Sequence, residues 1–251
     1  MGKGSGLGMG FDVDGIALAG DINSLGKIGG GPGATQDLTG IDRSAYERAG
    51  LLRSGALEWV SYFHPSAGQA HPKFSALPTS NVTATVRFPG SALGDAGAGI
   101  VAKQIGYDPK RGKDGSLLVD IKTMSDGFGI EFGQQLTAGI RTDSTATAGT
   151  AYDYGAAVGT TNFGLQMYVQ LYAFTGTSVT IKIQSSTDNG ADAYADVTGA
   201  TTAALSAVGA VRIQTGPTVA VERFLKVVTT GTFSNAQFHV LAVRNLTATA
   251  F

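Results

Sequence analysis

The stretch GLQMYVQLYAF, residues 164–174, alternates apolar and polar side chains almost without interruption. Its odd positions from 165 to 171 are Leu, Met, Val and Leu, and its even positions from 166 to 172 are Gln, Tyr, Gln and Tyr. Successive side chains of a β-strand point to opposite faces, so a period of two predicts a strand with one core-facing side. The pattern therefore favours a β fold.

The same alternation recurs along most of the chain. Turn signals such as FTGT at 174–177, TDNGAD at 187–192 and TGTFSN at 230–235 separate the later segments. Short strands at this spacing predict a mainly β chain of about a dozen strands with one or two short helices. The other strand-like segments are LEWVSYF (57–63), NVTATVRF (81–88), GIVAKQIGYD (99–108), GSLLVDIKTM (115–124), GFGIEFGQQL (127–136), SVTIKIQSS (178–186), AVRIQT (210–215), RFLKVVTTG (223–231) and AQFHVLAVRN (236–245).

One helix is predicted in DRSAYERAGLLRSG, residues 42–55. Asp42 or Ser44 would be its N-cap, and Glu47 stands three residues after Ser44, as a capping box requires. Gly55 would end the helix.

A second, shorter helix is predicted in YFHPSAGQAHPKFSALP, residues 62–78. Ser66 and Gln69 have the same capping-box spacing, and Pro72 is expected to limit the helix to one or two turns. The stretch would then connect the strand at 57–63 to the strand at 81–88. In the first of these strands Leu57, Trp59 and Phe63 share one face, which is expected to be buried.

The distribution of charge divides the chain into two parts. Residues 1–145 contain 13 Lys or Arg and 14 Asp or Glu, whereas residues 146–251 contain 5 of each and are rich in Thr, Ala and Gly. Because threonine suits a half-exposed strand, residues 146–251 are expected to form a second β-sandwich, immunoglobulin-like or jelly-roll. The segment RTDSTATAGTA, residues 141–151, is the expected linker.

Composition argues against several functional classes. A net charge of −1 does not favour tight, sequence-independent binding of nucleic acid, and the absence of cysteine excludes disulfides and thiolate chemistry. No G-x-S-x-G motif occurs. The glycine runs GKGSGLGMG (2–10) and KIGGGPGATQD (27–37) lack the phosphate-loop pattern, so we expect flexible loops there.

The chain also shows no targeting or membrane signal. The first ten residues contain no apolar run of signal-peptide length, and no segment approaches the length needed to span a bilayer. We therefore expect a protein made in a cytoplasm, without membrane insertion. With no catalytic signature, we also expect no enzymatic activity and no cofactor.

Histidines and acidic residues offer little support for a metal site. His64 and His71 would lie about 10 Å apart even on one continuous helix, and His239 belongs to the other expected domain. Asp188 and Asp192, in DNGAD, are weak candidates for calcium ligands, and a hairpin turn is favoured there instead.

Two further features bear on carbohydrate chemistry. Glu58 and Glu131 have no spacing that identifies them as the paired carboxylates of a glycosidase. Aromatic rings of the second part could stack on a glycan, although tyrosine is also an ordinary strand residue. The rings in question are those of Tyr152, Tyr154, Tyr168, Tyr172 and Tyr194.

The order of segments in the first part of the chain resembles that of a known protein family. FDVDGIALAGDINSL (11–25) is followed by a glycine-rich loop, by the strands and short helix of 35–90, and by the hairpin IGYDPKRGKDGSLLVDIKTMSDG (105–127). In that hairpin Asp108 and Pro109 would start the turn. Over about residues 10–145 this order resembles the major tail proteins, the tail-tube subunits of long-tailed bacteriophages, particularly siphophages of actinobacteria.

The resemblance implies a fold and a function. The fold would be a tail-tube-type β-sandwich or barrel, and six subunits would form rings that stack into a tube through which DNA passes without specific binding. The partners would be further copies of the chain and the tape-measure and tail-terminator proteins. The protein would be part of the virion, assembled in the host cytoplasm. Residues 146–251 would decorate the tube exterior, with weak binding of host-surface glycans as an additional expectation.

Residues 20–37 are expected to become ordered against neighbouring subunits, and His71 is better regarded as an interface residue than as a ligand. Asp120 and Lys122 alternate on one strand, so both signs of charge could face a channel. Two alternatives stay open: a secreted or virion-surface glycan-binding, lectin-like protein, and a capsid decoration protein. The interface candidates are Asp21, Asn23, Lys27, Gln36, Asp37, His71, Lys110, Arg111 and Arg141.

Overall fold

A computed structural model describes residues 5–248. Within that range the chain is mainly β, as predicted, with one short α-helix, α1 (Ala70–Phe74), and a 3-10 turn at Ala19–Asp21. The strands are β1 (Gly10–Val13), β2 (Ile16–Ala17), β3 (Ile22–Pro32), β4 (Thr35–Asp37), β5 (Arg48–Gly50), β6 (Arg53–Tyr62), β7 (Val82–Arg87), β8 (Ala96–Arg111), β9 (Leu117–Ser125), β10 (Glu131–Gln135), β11 (Arg141–Asp143), β12 (Tyr152–Asp153), β13 (Leu165–Ser186), β14 (Ala195–Thr201), β15 (Gly209–Gln214) and β16 (Phe224–Arg244).

The helix predicted at 42–55 is wrong. The segment instead contains β5 and the start of β6, and β5 pairs with β4 in a two-stranded hairpin. Most helical stability in proteins comes from burying an apolar face. Here the apolar side chains of Tyr46, Leu51 and Leu52 are exposed, so no such face is buried.

The second predicted helix exists but begins later. Gln69 is the N-cap of α1 and makes no side-chain capping bond, whereas Ser66 lies outside the helix. Pro72 occupies the first turn of α1 and does not end it, because the first N–H groups of a helix have no partner inside the helix. Asp21 supplies the cap instead: its Oδ2 accepts the N–H of Ala70 at 3.0 Å.

The glycine run at 27–37 is not a flexible loop in the single chain. Most of it belongs to β3, which pairs antiparallel with β6 from Ile22 to Pro32. A Cβ on Gly30 would lie 2.3 Å from the carbonyl oxygen of Ser54, so glycine is needed where the two backbones approach closely. Residues 22–32 are thus paired within the chain itself, and packing of residues 20–37 against neighbouring subunits stays a prediction.

Contacts group the chain into two compact units, each made of segments that are separated in sequence. Among the described residues, unit 1 consists of 5–19, 83–99 and 131–248, and unit 2 of 20–82 and 100–130. The expected linker at 141–151 is part of unit 1, where β11 pairs with β16. The grouping follows strand pairing between distant segments, which the composition of the chain does not reveal.

Unit 1 is built around a long antiparallel ribbon of β13 and β16. The two strands pair from Leu165–Arg244 to Ser186–Phe224, with register shifts at 171–178. The predicted turns FTGT and TGTFSN are therefore not turns: they face each other inside the ribbon as β-bulges. One apolar cluster contains buried residues from both halves of each strand, so the ribbon bends at the bulges and its halves pack together.

The opposite face of the first half of β13 is also buried, contrary to the expected polar, outward face. Gln166, Tyr168 and Gln170 are almost fully inaccessible. The amide of Gln170 accepts the N–H of Gly15 at 2.7 Å and donates to the carbonyl of Thr83 at 3.0 Å. The strand β7 is likewise buried on both faces, since its threonines, its valines and Ala84 are all buried.

Unit 2 contains an antiparallel sheet in the order β3-β6-β9-β8. The predicted hairpin of 105–127 is confirmed, but its turn lies at 112–116; Asp108 and Pro109 belong to β8. Leu57 and Trp59 lie on the buried face of β6, as predicted. The ring of Trp59 meets that of Phe74 edge-on, with centroids 5.2 Å apart, which fixes α1 on the sheet.

Candidate functional site

An extended β-hairpin, residues 33–52, projects from the β3–β6 pair; we call it the apolar hairpin. Thr35–Asp37 pair with Arg48–Gly50, and the ladder continues on both sides of this pairing. The N–H of Leu38 donates to the carbonyl of Glu47 at 2.8 Å, and the N–H of Gly33 to that of Leu52 at 2.8 Å. The hairpin is therefore an ordered element within the chain.

Large apolar side chains concentrate on this hairpin and are exposed. Ile41 is 109% and Leu52 88% exposed. Monomeric proteins seldom expose contiguous apolar surface unless it binds something. The sequence prediction missed this surface because Tyr46, Leu51 and Leu52 were assigned to a helix over residues 42–55. The exposed apolar residues of the hairpin are Leu38, Ile41, Tyr46, Leu51 and Leu52.

Local hydrogen bonds hold the hairpin in shape. Asp37 Oδ1 accepts the N–H of Thr39 at 2.9 Å and its hydroxyl at 2.5 Å, and these bonds lower the pKa of the Asp37 carboxyl. The N–H of Glu47 donates to the Thr39 hydroxyl at 2.8 Å. Two predicted interface residues, Gln36 and Asp37, thus lie on this hairpin, and both are exposed.

The strand β3 leads directly into the apolar hairpin and carries two more predicted interface residues. Lys27 is exposed, and Asn23 donates through Nδ2 to the hydroxyl of Tyr62 at 2.8 Å. Within the part of the chain that the structure describes, β3 pairs with β6 alone. An outer strand with an unpaired edge is able to pair with another chain.

The outward face of the unit 2 sheet carries charges of both signs. Lys27, Glu58 and Lys122 are register partners across β3, β6 and β9. Lys110 approaches both carboxylate oxygens of Asp120 at 2.7 Å. Arg111, at the end of β8, is exposed.

Of the two histidines of 62–78, His64 precedes α1 and His71 lies within it. His64 Nδ1 lies 2.7 Å from Asp21 Oδ1, and Asp21 itself is buried, so this predicted interface residue is a structural cap. His71 Nδ1 is hydrogen-bonded to the hydroxyl of Tyr107, and its ring lies 4.3 Å from that of Phe63. The structure does not bring the two histidines to a common site.

Arg141, the remaining interface candidate, belongs to unit 1 and its donors are used internally. It binds Asp143 through Nε at 2.8 Å and Nη2 at 2.7 Å, and the carbonyl of Val227 through Nη1 at 2.9 Å. It lines a cavity of about 500 Å³ together with apolar residues, threonines and backbone. With the guanidinium already satisfied, this cavity presents little chemistry.

The expected hairpin turn at DNGAD is confirmed. Asp188 Oδ1 accepts the N–H groups of Gly190, Ala191 and Asp192 at 3.0–3.1 Å. Asp192 accepts the hydroxyl of Ser186 at 2.6 Å, and this bond is the main cause of its lowered pKa. Both weak calcium candidates are thus hydrogen-bonded within the turn.

Other residues that the sequence singled out are interior. Glu131 is buried in a two-point ion pair with Arg212, 2.8 Å in each contact, and accepts the hydroxyl of Tyr168 at 2.5 Å. Tyr168 and the hydroxyls of Tyr154 and Tyr172 are buried, so these residues offer no open stacking platform. His239 is fully buried.

Residues 5–248 contain no cluster of three or more His, Asp or Glu side chains placed to hold a metal ion. Over the same range no helix is both long and apolar enough to cross a membrane.

No protein-family model and no curated protein matches the chain. The solved structures that are similar to it include two phage structures. The first is the Dit protein of phage SPP1, described as a paradigm of the hub adsorption apparatus in phages that infect Gram-positive bacteria, with a TM-score of 0.33, 9% identity, and coverage of 93% of this chain and 98% of that chain. The second is the phage p2 baseplate in its activated conformation with Sr, with a TM-score of 0.37, 8% identity, and coverage of 94% and 98%. These TM-scores are too low to carry an argument about function.

Proposed function

We propose that this chain is a structural component of a bacteriophage tail that assembles with copies of itself into rings, and that the rings stack as a tail tube. The observation that carries the proposal is the apolar hairpin: an ordered element whose large apolar side chains have no cover in the single chain. Burial of apolar surface is the main driving force of association. A structural subunit works through such contacts.

The sheet of unit 2 supports the same assembly. Its outer strands are β3 and the second half of β8. Pairing of the free edge of β3 with β8 of a neighbouring copy is a head-to-tail contact, which closes into a ring when the rotation between copies permits. Such closure removes edges that would otherwise promote aggregation.

The tail-tube assignment rests on the resemblance of residues 10–145. Under it the rings are hexameric, the tape-measure and terminator proteins bind the assembled tube, and DNA passes through its lumen. Glycan binding by residues 146–251 has less support, because the ring of Tyr168 is buried. Deletion of residues 146–251 does not test whether this part is a peripheral domain. The deletion removes β16, which pairs with β10, and would therefore also disturb the first part of the chain.

Electron microscopy and light scattering of the purified full chain test the proposal. We expect rings or tubes for the wild type and loss of assembly for the double variant Ile41→Asp/Leu52→Asp, because a carboxylate cannot be buried unpaired in an apolar contact. Val208→Asp, at an exposed valine of unit 1, is the matched control and should assemble normally.

The form of the wild-type particle separates the alternatives. Stacked tubes support the tail-tube subunit, and single rings that never stack favour a hub role. Trimeric particles favour a capsid decoration protein. A chain that stays monomeric at high concentration contradicts the proposed assembly and favours a lectin-like protein.

A further inference from the structure

The turn between β13 and β14 contains the chain's one Asn–Gly dipeptide, Asn189–Gly190. Both residues are exposed, and Asn189 has a left-handed backbone with φ 67°. The space where a Cβ of Gly190 would lie is open. A backbone nitrogen that follows asparagine can attack the side-chain amide carbon, and the absence of a side chain on glycine leaves that approach unhindered.

Two groups of the turn contact the atoms that would react. The hydroxyl of Tyr194 donates to Asn189 Oδ1 at 2.5 Å, and the N–H of Gly190 donates to Asp188 Oδ1 at 3.1 Å. A donor on the amide oxygen stabilises the negative charge that develops there during attack. A carboxylate on the attacking N–H is within reach to accept its proton.

Both groups are held in place. Asp188 Oδ1 also accepts the N–H groups of Ala191 and Asp192, each at 3.0 Å. The ring of Tyr194 packs under Lys226, whose Nζ lies 3.6 Å from the ring centroid. Burial raises the pKa of Tyr194, with Asp192 and Asp188 adding to the effect, so its hydroxyl keeps the proton that it donates.

We propose that this folded turn promotes its own deamidation at Asn189. The nitrogen of Gly190 bonds to Cγ of Asn189 and gives its proton to the Asp188 carboxylate. The electron pair of the Cγ–Oδ1 double bond moves onto Oδ1, which accepts the hydrogen bond of the Tyr194 hydroxyl. The bond from Cγ to Nδ2 then breaks, and ammonia leaves with that proton. Water opens the resulting succinimide to an aspartyl or isoaspartyl residue.

The modification would change the surface of unit 1 after synthesis. It replaces a neutral amide by a carboxylate beside Asp188 and Asp192, so the turn gains one negative charge. An isoaspartyl product also lengthens the backbone by one carbon within the hydrogen-bonded turn. This inference does not depend on the assembly proposed above.

The test compares deamidation of the full chain in its native and denatured states. Peptide mass mapping follows succinimide, aspartyl and isoaspartyl forms at position 189 during incubation at about pH 7.5, with and without denaturant. We expect the native chain to react about tenfold faster than the denatured chain, because only the folded turn places Tyr194 and Asp188 on the reacting atoms. An equal or slower native rate would overturn the proposal.

Variants assign the effect to the two groups. Tyr194→Phe and Asp188→Asn should each bring the native rate down towards the denatured rate, and Tyr46→Phe, at an exposed tyrosine of unit 2, should leave it unchanged. The denatured rates serve as the reference for every variant, so a variant that unfolds is recognised by equal rates in both conditions and by loss of the cooperative unfolding transition. A folded Tyr194→Phe chain that keeps the wild-type native rate would contradict the role of the hydroxyl.

Discussion

Asp12 and Arg87 form a two-point ion pair inside unit 1, although they lie far apart in sequence. Nε of Arg87 is 3.0 Å from Oδ2 of Asp12, and Nη2 is 3.0 Å from Oδ1. The Asp12 side chain is fully buried. Burial raises the pKa of this carboxyl, and the neighbouring guanidinium opposes the effect. The pair connects β1 to β7. These strands are antiparallel, with Asp12 opposite Thr85 and Gly10 opposite Arg87, so the ion pair runs diagonally between them.

Arg87→Met should destabilise the fold by about 3–5 kcal/mol, because it leaves the Asp12 carboxylate buried without its partner. Urea unfolding measures the change. Arg223→Met is the control, since it breaks a similarly two-pronged pair with Asp153 at the exposed surface, where little stability is at stake. Equal losses in the two variants would contradict the importance of burial here.

His239 should make the fold sensitive to acid. Burial lowers its pKa from 6.5 to about 3, and Arg87 adds to the effect. Below pH 6.5 the His239 side chain therefore binds a proton in the unfolded chain but stays neutral in the folded chain. The stability that is present above pH 6.5 is lost as the pH falls towards 3. The loss is at most about 1.4 kcal/mol per pH unit.

The measurement is the free energy of unfolding at several pH values across this window for the wild type and for His239→Leu. The variant lacks the titrating group, so its stability should fall less steeply with acid. An unchanged slope would show that other groups cause the acid sensitivity.

Gly15→Ala should be much more damaging than Gly8→Ala, although both glycines have left-handed φ values, +79° and +86°. At Gly8 a Cβ meets nothing within 4 Å, so only the backbone cost of about 1–2 kcal/mol applies. At Gly15 it would lie 2.4 Å from the carbonyl oxygen of Leu171, which adds about 1–3 kcal/mol of overpacking. Thermal or urea unfolding compares the two. Equal destabilisation would argue against the close approach at the β1–β2 turn.

Asp21→Ala should loosen α1 in unit 2. It leaves the N–H of Ala70 without its carboxylate acceptor, at a cost of about 1–3 kcal/mol. Asp21→Asn keeps an acceptor oxygen and should cost less. Fluorescence of Trp59, which contacts Phe74 of α1, follows the unfolding. A fully stable Asp21→Ala chain would show that packing of Phe74 alone holds the helix.

Local pattern predicted the class of the fold and several of its elements. Alternation identified the hairpin of β8 and β9, the buried face of Leu57 and Trp59, and the strands of the second part, because side-chain direction in a strand depends only on position along the backbone. The DNGAD turn was also predictable, since Asp188 accepts N–H groups that lie two to four residues further along the chain. The apolar hairpin was not, because residues 42–55 satisfied the local signals of a helix and lacked a surface against which to bury one.

The sequence by itself determined that this protein is built of strands, because the period of two is a local property of the backbone. Only the tertiary structure decided which strands pair and which faces are buried. Gln170 and His239 look like outward residues of two separate strands, yet they are register partners inside unit 1. The turn signals at 174–177 and 230–235 became bulges because each faces the other in a continuous ribbon, a relation between segments more than fifty residues apart that no local pattern contains.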